Sequence, residues 1–316
     1  MAANPTSVHG WLVVNKPVGI SSAKAVAHVR RFFGGVKTGH AGTLDPLASG
    51  VLPIALGEAT KTISYVMTAE KSYRFTVQWG SETETDDKEG EVTRRSDHRP
   101  SVKDIESVLH RFTGLIDQVP PLFSAVKVKG KRAYALARNK QKDNAEATKI
   151  ELSPRQVMVN DLVMTAHSAD ETTFSVRCGK GTYVRSLARD IGRAVGSAAH
   201  VVFLERRSVG RFHIDQAISL DFMENIVYNP RAHDCVIPVM TALDDIPALA
   251  ITEQEAEKLR FGQSIELDQT RAEAFATQGG AKQQDLLTGV VACAGQPVAI
   301  VRLTQQILSP VRVLKI

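Results

Sequence analysis

Alternating and periodic hydrophobic positions along the chain predict a mixture of strands and helices. Residues 73–79 alternate as Tyr-Arg-Phe-Thr-Val-Gln-Trp, the pattern of a strand with one buried face. A short apolar run at 10–15 and the segment 172–178 predict two further strands. Helices are predicted to begin near residue 184 and to cover 101–113, where the apolar face is formed by Val102, Ile105, Val108, Leu109 and Phe112.

The C-terminal part of the chain has a different pattern. A boundary is predicted near residues 244–247, Asp-Asp-Ile-Pro, and a capping box of Thr252 with Glu255 predicts the start of a helix beyond it. Short strands separated by Gly and Pro are predicted at 289–293, 297–303 and 311–316. The sequence therefore predicts a large domain over 1–245 and a compact β-barrel module over 246–316.

Composition and charge limit the class of protein. The chain has 316 residues, of which 43% are hydrophobic, enough for a sizeable core. Lys and Arg number 39 against 34 Asp and Glu, and the net charge of +5 favours an anionic partner. The three cysteines have no Cys-x-x-Cys spacing, so neither a disulfide framework nor a zinc site is predicted. No segment has the pattern of a membrane span or a secretory signal, so we expect a soluble, cytoplasmic protein.

A strongly basic stretch follows Pro120-Pro121. Residues 127–149 contain eight Lys or Arg and two Asp or Glu, and Phe123 and Tyr134 lie beside or within the stretch. Basic side chains with interleaved aromatic rings suit a phosphate backbone and unstacked bases. A solvated charged loop explains the composition equally well, so the residues alone leave both interpretations open.

The segment 39–50, Gly-His-Ala-Gly-Thr-Leu-Asp-Pro-Leu-Ala-Ser-Gly, presents one carboxylate in a restricted backbone. Pro46 keeps Asp45 out of the helical region, and three glycines permit tight turns and the close approach of another chain. A carboxylate presented in this way can act on a ligand. An Asp-Pro turn on the surface is the alternative, and the local sequence does not separate the two.

A second candidate lies where the predicted strand 172–178 meets the next helix. The turn Gly-Lys-Gly-Thr at 179–182 is not a phosphate-binding P-loop, because Phe174 stands where that motif needs glycine. Tyr183 and Arg185 follow this turn, at the end of a strand where sheet proteins place reactive groups. A solvated arginine at the start of a helix is the alternative to a functional one.

Seven segments carry a family resemblance, and they lie at 10–17, 39–50, 56–61, 71–74, 120–127, 179–187 and 199–206. Among them are Gly-Trp-Leu-Val-Val-Asn-Lys-Pro, Pro-Pro-Leu-Phe-Ser-Ala-Val-Lys and Gly-Lys-Gly-Thr-Tyr-Val-Arg-Ser-Leu. Taken in order over about residues 10–220, they resemble the bacterial tRNA pseudouridine-55 synthases, the TruB family. The C-terminal segment resembles the small RNA-binding PUA domain that many members carry.

The resemblance implies an α+β fold. A pseudouridine-synthase catalytic domain, with a mixed, mainly antiparallel central sheet flanked by helices and a basic RNA-clasping insertion at about 121–150, precedes a PUA-like β-barrel. The implied activity is an isomerisation in which uridine 55 of the tRNA T-loop is flipped out, its glycosidic bond is broken, and the uracil is rejoined through C5. No cofactor and no metal are expected. The expected partner of the monomeric enzyme is the T-arm of tRNA.

The resemblance also gives individual roles. Asp45 matches the family's essential aspartate, which acts near C1′ or C2′ of the ribose as a nucleophile or a base. Arg185 matches the arginine that pairs with this aspartate, and Tyr73 matches a tyrosine that stacks on the target base. The matched binding positions are His40, Lys16, Tyr183 and Leu204, the supporting position is Asp87, and the RNA contacts predicted in the basic stretch are Lys129, Lys131 and Arg132.

Two other functions share parts of this pattern. A tRNA-binding or tRNA-folding chaperone would share the basic stretch and the PUA-like module, and a pseudouridine synthase for another RNA would share the active-site residues as well. The combined presence of Asp45, Tyr73 and Arg185 favours an enzyme over a chaperone.

Overall fold

The computed structural model describes residues 8–124, 126–128, 130–134, 136–137, 152–221, 234–278 and 287–316. The chain forms two compact units. The first unit comprises Met1–Leu44, Leu52–Met67 and Arg211–Ile316, and the second comprises Asp45–Val51 and Thr68–Gly210. The predicted division into domains over 1–245 and 246–316 stays a prediction.

The described residues contain nineteen strands and six α-helices, bounded as follows. The strands are β1 (Gly10–Lys16), β2 (Thr38–His40), β3 (Ser49–Leu56), β4 (Lys71–Trp79), β5 (Ser81–Thr83), β6 (Val92–Arg95), β7 (Gly114–Gln118), β8 (Lys127–Val128), β9 (Lys131–Arg132), β10 (Arg155–His167), β11 (Glu171–Cys178), β12 (Ala199–Val209), β13 (Phe212–His213), β14 (Ile218–Ser219), β15 (Ala248–Ala250), β16 (Ile265–Glu266), β17 (Leu287–Cys293), β18 (Gln296–Thr304) and β19 (Ile307–Val313). The helices are α1 (Ser22–Phe32), α2 (Ile63–Thr68), α3 (Val102–Leu109), α4 (Val184–Ala194), α5 (Glu253–Arg260) and α6 (Gln269–Gln278).

A mixed, mainly antiparallel sheet forms the centre of the second unit, in the order β3-β12-β4-β11-β10-β7. Strand β12 is antiparallel to β4 and parallel to β3, which it meets at Ser49 and Gly50. Phe75 on β4 is paired in register with Phe174 on β11, and the two buried rings stack with their centroids 5.2 Å apart. The alternating pattern at 73–79 is confirmed as a strand, and the α+β class predicted from the sequence is confirmed with it.

Helices cover this sheet with their apolar faces. Helix α4 buries Leu187 and Ile191 and packs on β12. In α3 the predicted apolar face is correct for Ile105 and Val108, but Val102 is 40% exposed. Val102 is the first residue of α3, directly after the Ser101 cap, so its side chain lies at the open end of the helix.

The first unit contains β1 between β14 and β3, and it also contains a separate five-stranded sheet in the order β15-β17-β18-β19-β16. This C-terminal sheet is a curled half-barrel that packs on α5 and α6 through buried residues such as Leu259 and Phe275. Helix α5 begins at the predicted capping box, since Thr252 and Glu255 hydrogen-bond reciprocally. No helix in the described part of the chain is long and apolar enough to cross a membrane.

The last predicted strand is wrong in its position. The sequence predicts a strand over 311–316, whereas β19 covers Ile307–Val313. Gln305 has φ 55° in the turn after β18, and the following residues return antiparallel along β18 with Ile307 opposite Thr304. The tight turn therefore fixes where the strand starts, ahead of the apolar run that suggested it.

Candidate active site

The backbone around Asp45 is fixed by short-range and long-range hydrogen bonds. The Leu44 N–H donates to Ser22 Oγ at 2.8 Å, and the same hydroxyl donates to the Leu44 carbonyl at 3.0 Å. Ser22 is buried in the first turn of α1. On the other side, the Ala48 N–H donates to the Asp45 carbonyl at 3.1 Å. The residue before Asp45 and the turn after it are therefore both restrained.

Gly50 closes this loop against β12. It has φ +99°, and a Cβ at this position would collide with the backbone carbonyl oxygen of Arg206. We expect Gly50→Ala to lower the free energy of unfolding by about 3 kcal/mol or more, because a left-handed conformation and a backbone clash act together.

Gly114 supplies the matched control. It has φ +90°, and no atom lies within 4 Å of the place that a Cβ would occupy, so Gly114→Ala should cost only the conformational part, about 1–2 kcal/mol. Urea unfolding of both variants measures the difference. Equal losses would show that the contact of Gly50 with β12 is not tight.

The structure places the Asp45 carboxylate beside the guanidinium of Arg185. Arg185 Nε lies 2.9 Å from Asp45 Oδ2. The Arg185 side chain is 5% exposed, whereas that of Asp45 is 37% exposed. The pair therefore has a buried cation that orients the carboxylate and an anion that a ligand can reach from solvent.

Arg185 is held at every side of its guanidinium. Nη1 donates to the Thr85 carbonyl at 2.7 Å, and Nη2 donates to the Phe123 carbonyl at 3.0 Å. Nη1 also lies 3.6 Å from Oδ2 of the buried Asp87. Because these acceptors come from different segments of the chain, the direction in which Nε points at Asp45 is set by the fold.

Asp87 is itself positioned by its own turn. Its Oδ1 accepts a hydrogen bond from Thr85 Oγ1 at 2.6 Å and another from the Glu89 N–H at 3.0 Å. The structure thus places Asp87, predicted as a supporting residue, next to Arg185 and behind the pair with Asp45. Two carboxylates share one guanidinium, and Asp45 is the more exposed of the two.

Tyr73 and Leu204 lie on one face of the central sheet. In the β4–β12 pairing Tyr73 is opposite Arg206 and Phe75 is opposite Leu204, and directly paired residues point to the same side. Burial raises the pKa of Tyr73, although the neighbouring Arg206 cation opposes this shift. The phenol therefore stays protonated at neutral pH.

Arg206 and Tyr183 extend the same region. The buried Arg206 donates from Nε to the Val51 carbonyl at 2.7 Å. Tyr183 precedes α4, and its backbone is clamped by Gln118, which accepts from the Tyr183 N–H at 2.8 Å and donates to the Tyr183 carbonyl at 3.1 Å. Burial raises the pKa of Tyr183.

Lys16 and His40 belong to the first unit. The Lys16 ammonium is buried and donates to the carbonyls of Pro17 at 2.7 Å and Ile20 at 2.9 Å, which is a structural role. His40 is half-buried on β2, opposite Ile54. Contact of either side chain with a substrate stays a prediction.

The side chains predicted to contact RNA in the basic stretch lie outside the described part of the structure. Lys129 and residues 138–151 lie outside the described residues, and so do the side chains of Lys131 and Arg132. The backbone of β9, which contains Lys131 and Arg132, pairs antiparallel with β8. In the described part of the chain, no group of three His, Cys, Asp or Glu side chains is arranged to hold a metal ion.

Sequence reasoning gave no role at this site to Ser22, Gln118 or Arg206. Each acts through a contact with a residue distant in the chain, so local sequence cannot reveal it. Arg206 stands between Glu205 and Arg207 in β12, so its neighbours in the sequence do not mark it as a buried residue either.

Comparison with known proteins now gives this geometry a family. Residues 30–184 match the model of the TruB family pseudouridylate synthase N-terminal domain, and residues 185–246 match that of the tRNA pseudouridylate synthase B C-terminal domain. This chain belongs to the TruB family. The TruB assignment confirms the resemblance on which the residue roles were based, and the Asp45–Arg185 pair lies within the two matched segments.

Individual TruB relatives match most of the chain. The protein named tRNA pseudouridine synthase B from Caulobacter vibrioides is 45% identical over 313 residues, covering 98% of this chain and 97% of the relative. The protein of the same name from Bradyrhizobium diazoefficiens is 48% identical over 264 residues, covering 82% of this chain and 74% of the relative.

The fold is shared more widely than the sequence. A chain in the crystal structure of the archaeal box H/ACA sRNP Nop10–Cbf5 complex matches with a TM-score of 0.69 at 19% identity, over 98% of this chain and 89% of that chain. A chain of a Cbf5–Nop10–Gar1 complex matches with a TM-score of 0.67 at 23% identity, over 94% and 79%. At these identities, the two similarities show a shared fold and no more.

Proposed function

We propose that this protein isomerises uridine 55 in the T-loop of tRNA to pseudouridine. The observation that carries the proposal is the solvent-accessible Asp45 carboxylate oriented by a buried Arg185, in a chain of the TruB family. The relatives from Caulobacter and Bradyrhizobium are named as tRNA pseudouridine synthases, which supports tRNA as the substrate.

The proposed reaction begins when the uridine is turned out of the T-loop stack. Asp45 then attacks C1′ of the ribose or removes a proton from C2′, and the bond between C1′ and N1 breaks. The uracil turns over and C5 bonds to C1′. On the first route this displaces the Asp45 carboxylate from C1′, and on the second Asp45 returns its proton to C2′. The proton on C5 is lost to solvent while N1 gains one. Atoms and electrons balance without an oxidant or a reductant.

The surrounding residues have matching proposed roles. Tyr73 stacks on the extruded uracil, and Leu204 and Tyr183 line its pocket, because a base with two flat faces is held best between apolar or aromatic walls. Arg185 keeps the Asp45 carboxylate directed at the ribose.

Binding of tRNA is proposed to rest on positive charge. The net charge of +5 and the basic stretch, with Lys129, Lys131 and Arg132, suit a polyanion, and the T-arm is the proposed region of contact. A monomeric state and a location in the cytoplasm belong to the same proposal.

The test uses a tRNA transcript whose uridines carry tritium at C5. Release of tritium to water reports loss of the C5 proton, and a second transcript with cytidine at position 55 removes the proposed target alone. We expect release from the first transcript and none above background from the second. Equal release from both would assign the activity to another uridine, and no release from either would argue for an RNA-binding protein without this chemistry.

A further inference from the structure

Helix α4 carries three arginines one turn apart, and each faces a carboxylate from the segment 82–87. Arg185, Arg189 and Arg193 stand at i, i+4 and i+8, so they share one face of the helix. Their partners are Asp87 at 3.6 Å, Asp86 at 2.9 Å and Glu82 at 2.7 Å. We call these three ion pairs the arginine ladder. Its first pair belongs to the site described above, and the other two have no role there.

The middle pair of the arginine ladder is buried on both sides. The side chains of Arg189 and Asp86 are 10% and 8% exposed. Arg189 also donates to the Val119 carbonyl at 2.8 Å and to Asp190 at 2.8 Å, so its guanidinium is fixed. The distal pair is open, since the Arg193 side chain is 55% exposed and Glu82 is shared with Arg94.

Asp86 occupies a strained backbone position between two residues that contact Arg185. Its φ of 60° is in the left-handed region, which costs energy for a residue other than glycine. Thr85, before it, supplies the carbonyl that accepts from Arg185 Nη1, and Asp87, after it, supplies the second carboxylate. Any change in the conformation of Asp86 therefore moves two contacts of Arg185.

We propose that Asp86 and Arg189 are positioning residues for the reaction at Asp45. Their ion pair fixes the turn that contains Thr85 and Asp87 against α4. That turn holds the Arg185 guanidinium in the orientation in which Nε donates to Asp45. The inference rests on the proposed function, because it concerns the rate of that reaction.

The pKa of Asp86 indicates that its charge serves to position the turn and does not serve to stabilise the fold. Burial raises its pKa to about 6, although the facing cations of Arg189, Arg185 and Arg193 oppose the shift, and Asp190 adds to it. The neighbouring strand β12 contributes the Val201 backbone, whose N–H donates to the Asp86 carbonyl. The pKa of Asp86 in the folded protein is above the ordinary value of 3.8. The protonated Asp86 side chain therefore contributes fully to the stability of the fold below pH 3.8, and this contribution is lost as the pH rises through 6. Ionisation of Asp86 thus lowers the stability of the fold at neutral pH.

The test compares Asp86→Asn with a control in the same ladder, Arg193→Gln. Asparagine keeps the size of the side chain and tolerates the left-handed conformation, and Arg193→Gln leaves Glu82 paired with Arg94. Single-turnover tritium release, the Kd for tRNA and urea unfolding are measured at pH 7.5. For Asp86→Asn we expect release about tenfold slower or more, with unchanged Kd and undiminished stability. For Arg193→Gln we expect release at the wild-type rate.

The pH profile and a second variant complete the test. Wild-type release should slow as pH falls through 6, where Asp86 gains a proton, and release by Asp86→Asn should lack this step. If Asp86→Asn does not fold, Arg189→Lys serves instead, since lysine lacks the planar fork that holds Asp86, Asp190 and the Val119 carbonyl together, and slower release is again expected. If the wild type is active and Asp86→Asn, or Arg189→Lys in its place, releases tritium equally fast, the inference is overturned and the proposed function is not affected. A wild type without activity would overturn the proposed function, and the inference with it.

Discussion

Asp45→Asn should abolish pseudouridine formation while leaving the fold intact. Asparagine has the shape of aspartate but no negative charge, so it neither attacks C1′ nor accepts a proton from C2′. We expect the rate of tritium release to fall by more than about 10³-fold, within the range measured for lost acid-base or nucleophilic groups. Single-turnover release from labelled tRNA measures this.

The stability of the same variant provides its control. The Asp45 side chain is 37% exposed, and Arg185 keeps Asp87 and two backbone carbonyls as partners. The free energy of unfolding should therefore change by less than about 1 kcal/mol. A well-folded Asp45→Asn protein that forms pseudouridine at near-normal rates would remove Asp45 from the reaction.

Arg185→Met should reduce both the rate and the stability. It leaves the buried Asp87 without its cation and the carbonyls of Thr85 and Phe123 without a donor. Loss of one partner of a buried ion pair costs about 3–5 kcal/mol, which urea unfolding would detect. Because Asp45 also loses its 2.9 Å contact, we expect tritium release to slow by about 10²-fold or more.

Arg185→Lys separates charge from geometry. Lysine restores a cation beside Asp87 but has no planar fork, so it cannot serve Asp45, Thr85 and Phe123 together. Stability should recover in part, and the rate should stay low. A lysine variant as fast as wild type would show that charge alone is required and that the orientation of Nε is not.

Hydrophobic patterning predicted β4, β11, α3 and the start of α4, but not the long strands β10 and β12. Period-two alternation at 73–79 identified β4, because Phe75, Val77 and Trp79 on one face of that strand are buried, whereas Arg74 and Gln78 on the other face are exposed. The capping box of Thr252 and Glu255 identified the start of α5, since both hydrogen bonds are made within four residues. Local causes of this kind can be read from local sequence.

The active-site arrangement depends on contacts that no local pattern encodes. Asp45 and Arg185 come from segments far apart in the chain, and the residues alone left each with a solvated alternative. Family resemblance supplied their pairing, but the buried acceptors that orient Arg185 and the Asp86–Arg189 pair become visible only in three dimensions. Every residue has a backbone carbonyl, so a hydrogen bond to one does not restrict which residue type the sequence has at that position.

The central claim is that Asp45, oriented by Arg185, converts uridine 55 of tRNA to pseudouridine. The most direct measurement is a single-turnover time course with a tRNA that carries tritium only at C5 of uridine 55, run with wild type and Asp45→Asn at saturating enzyme. We expect stoichiometric release by wild type and none above background by the variant. Comparable release by both proteins, or none by wild type, would contradict the claim.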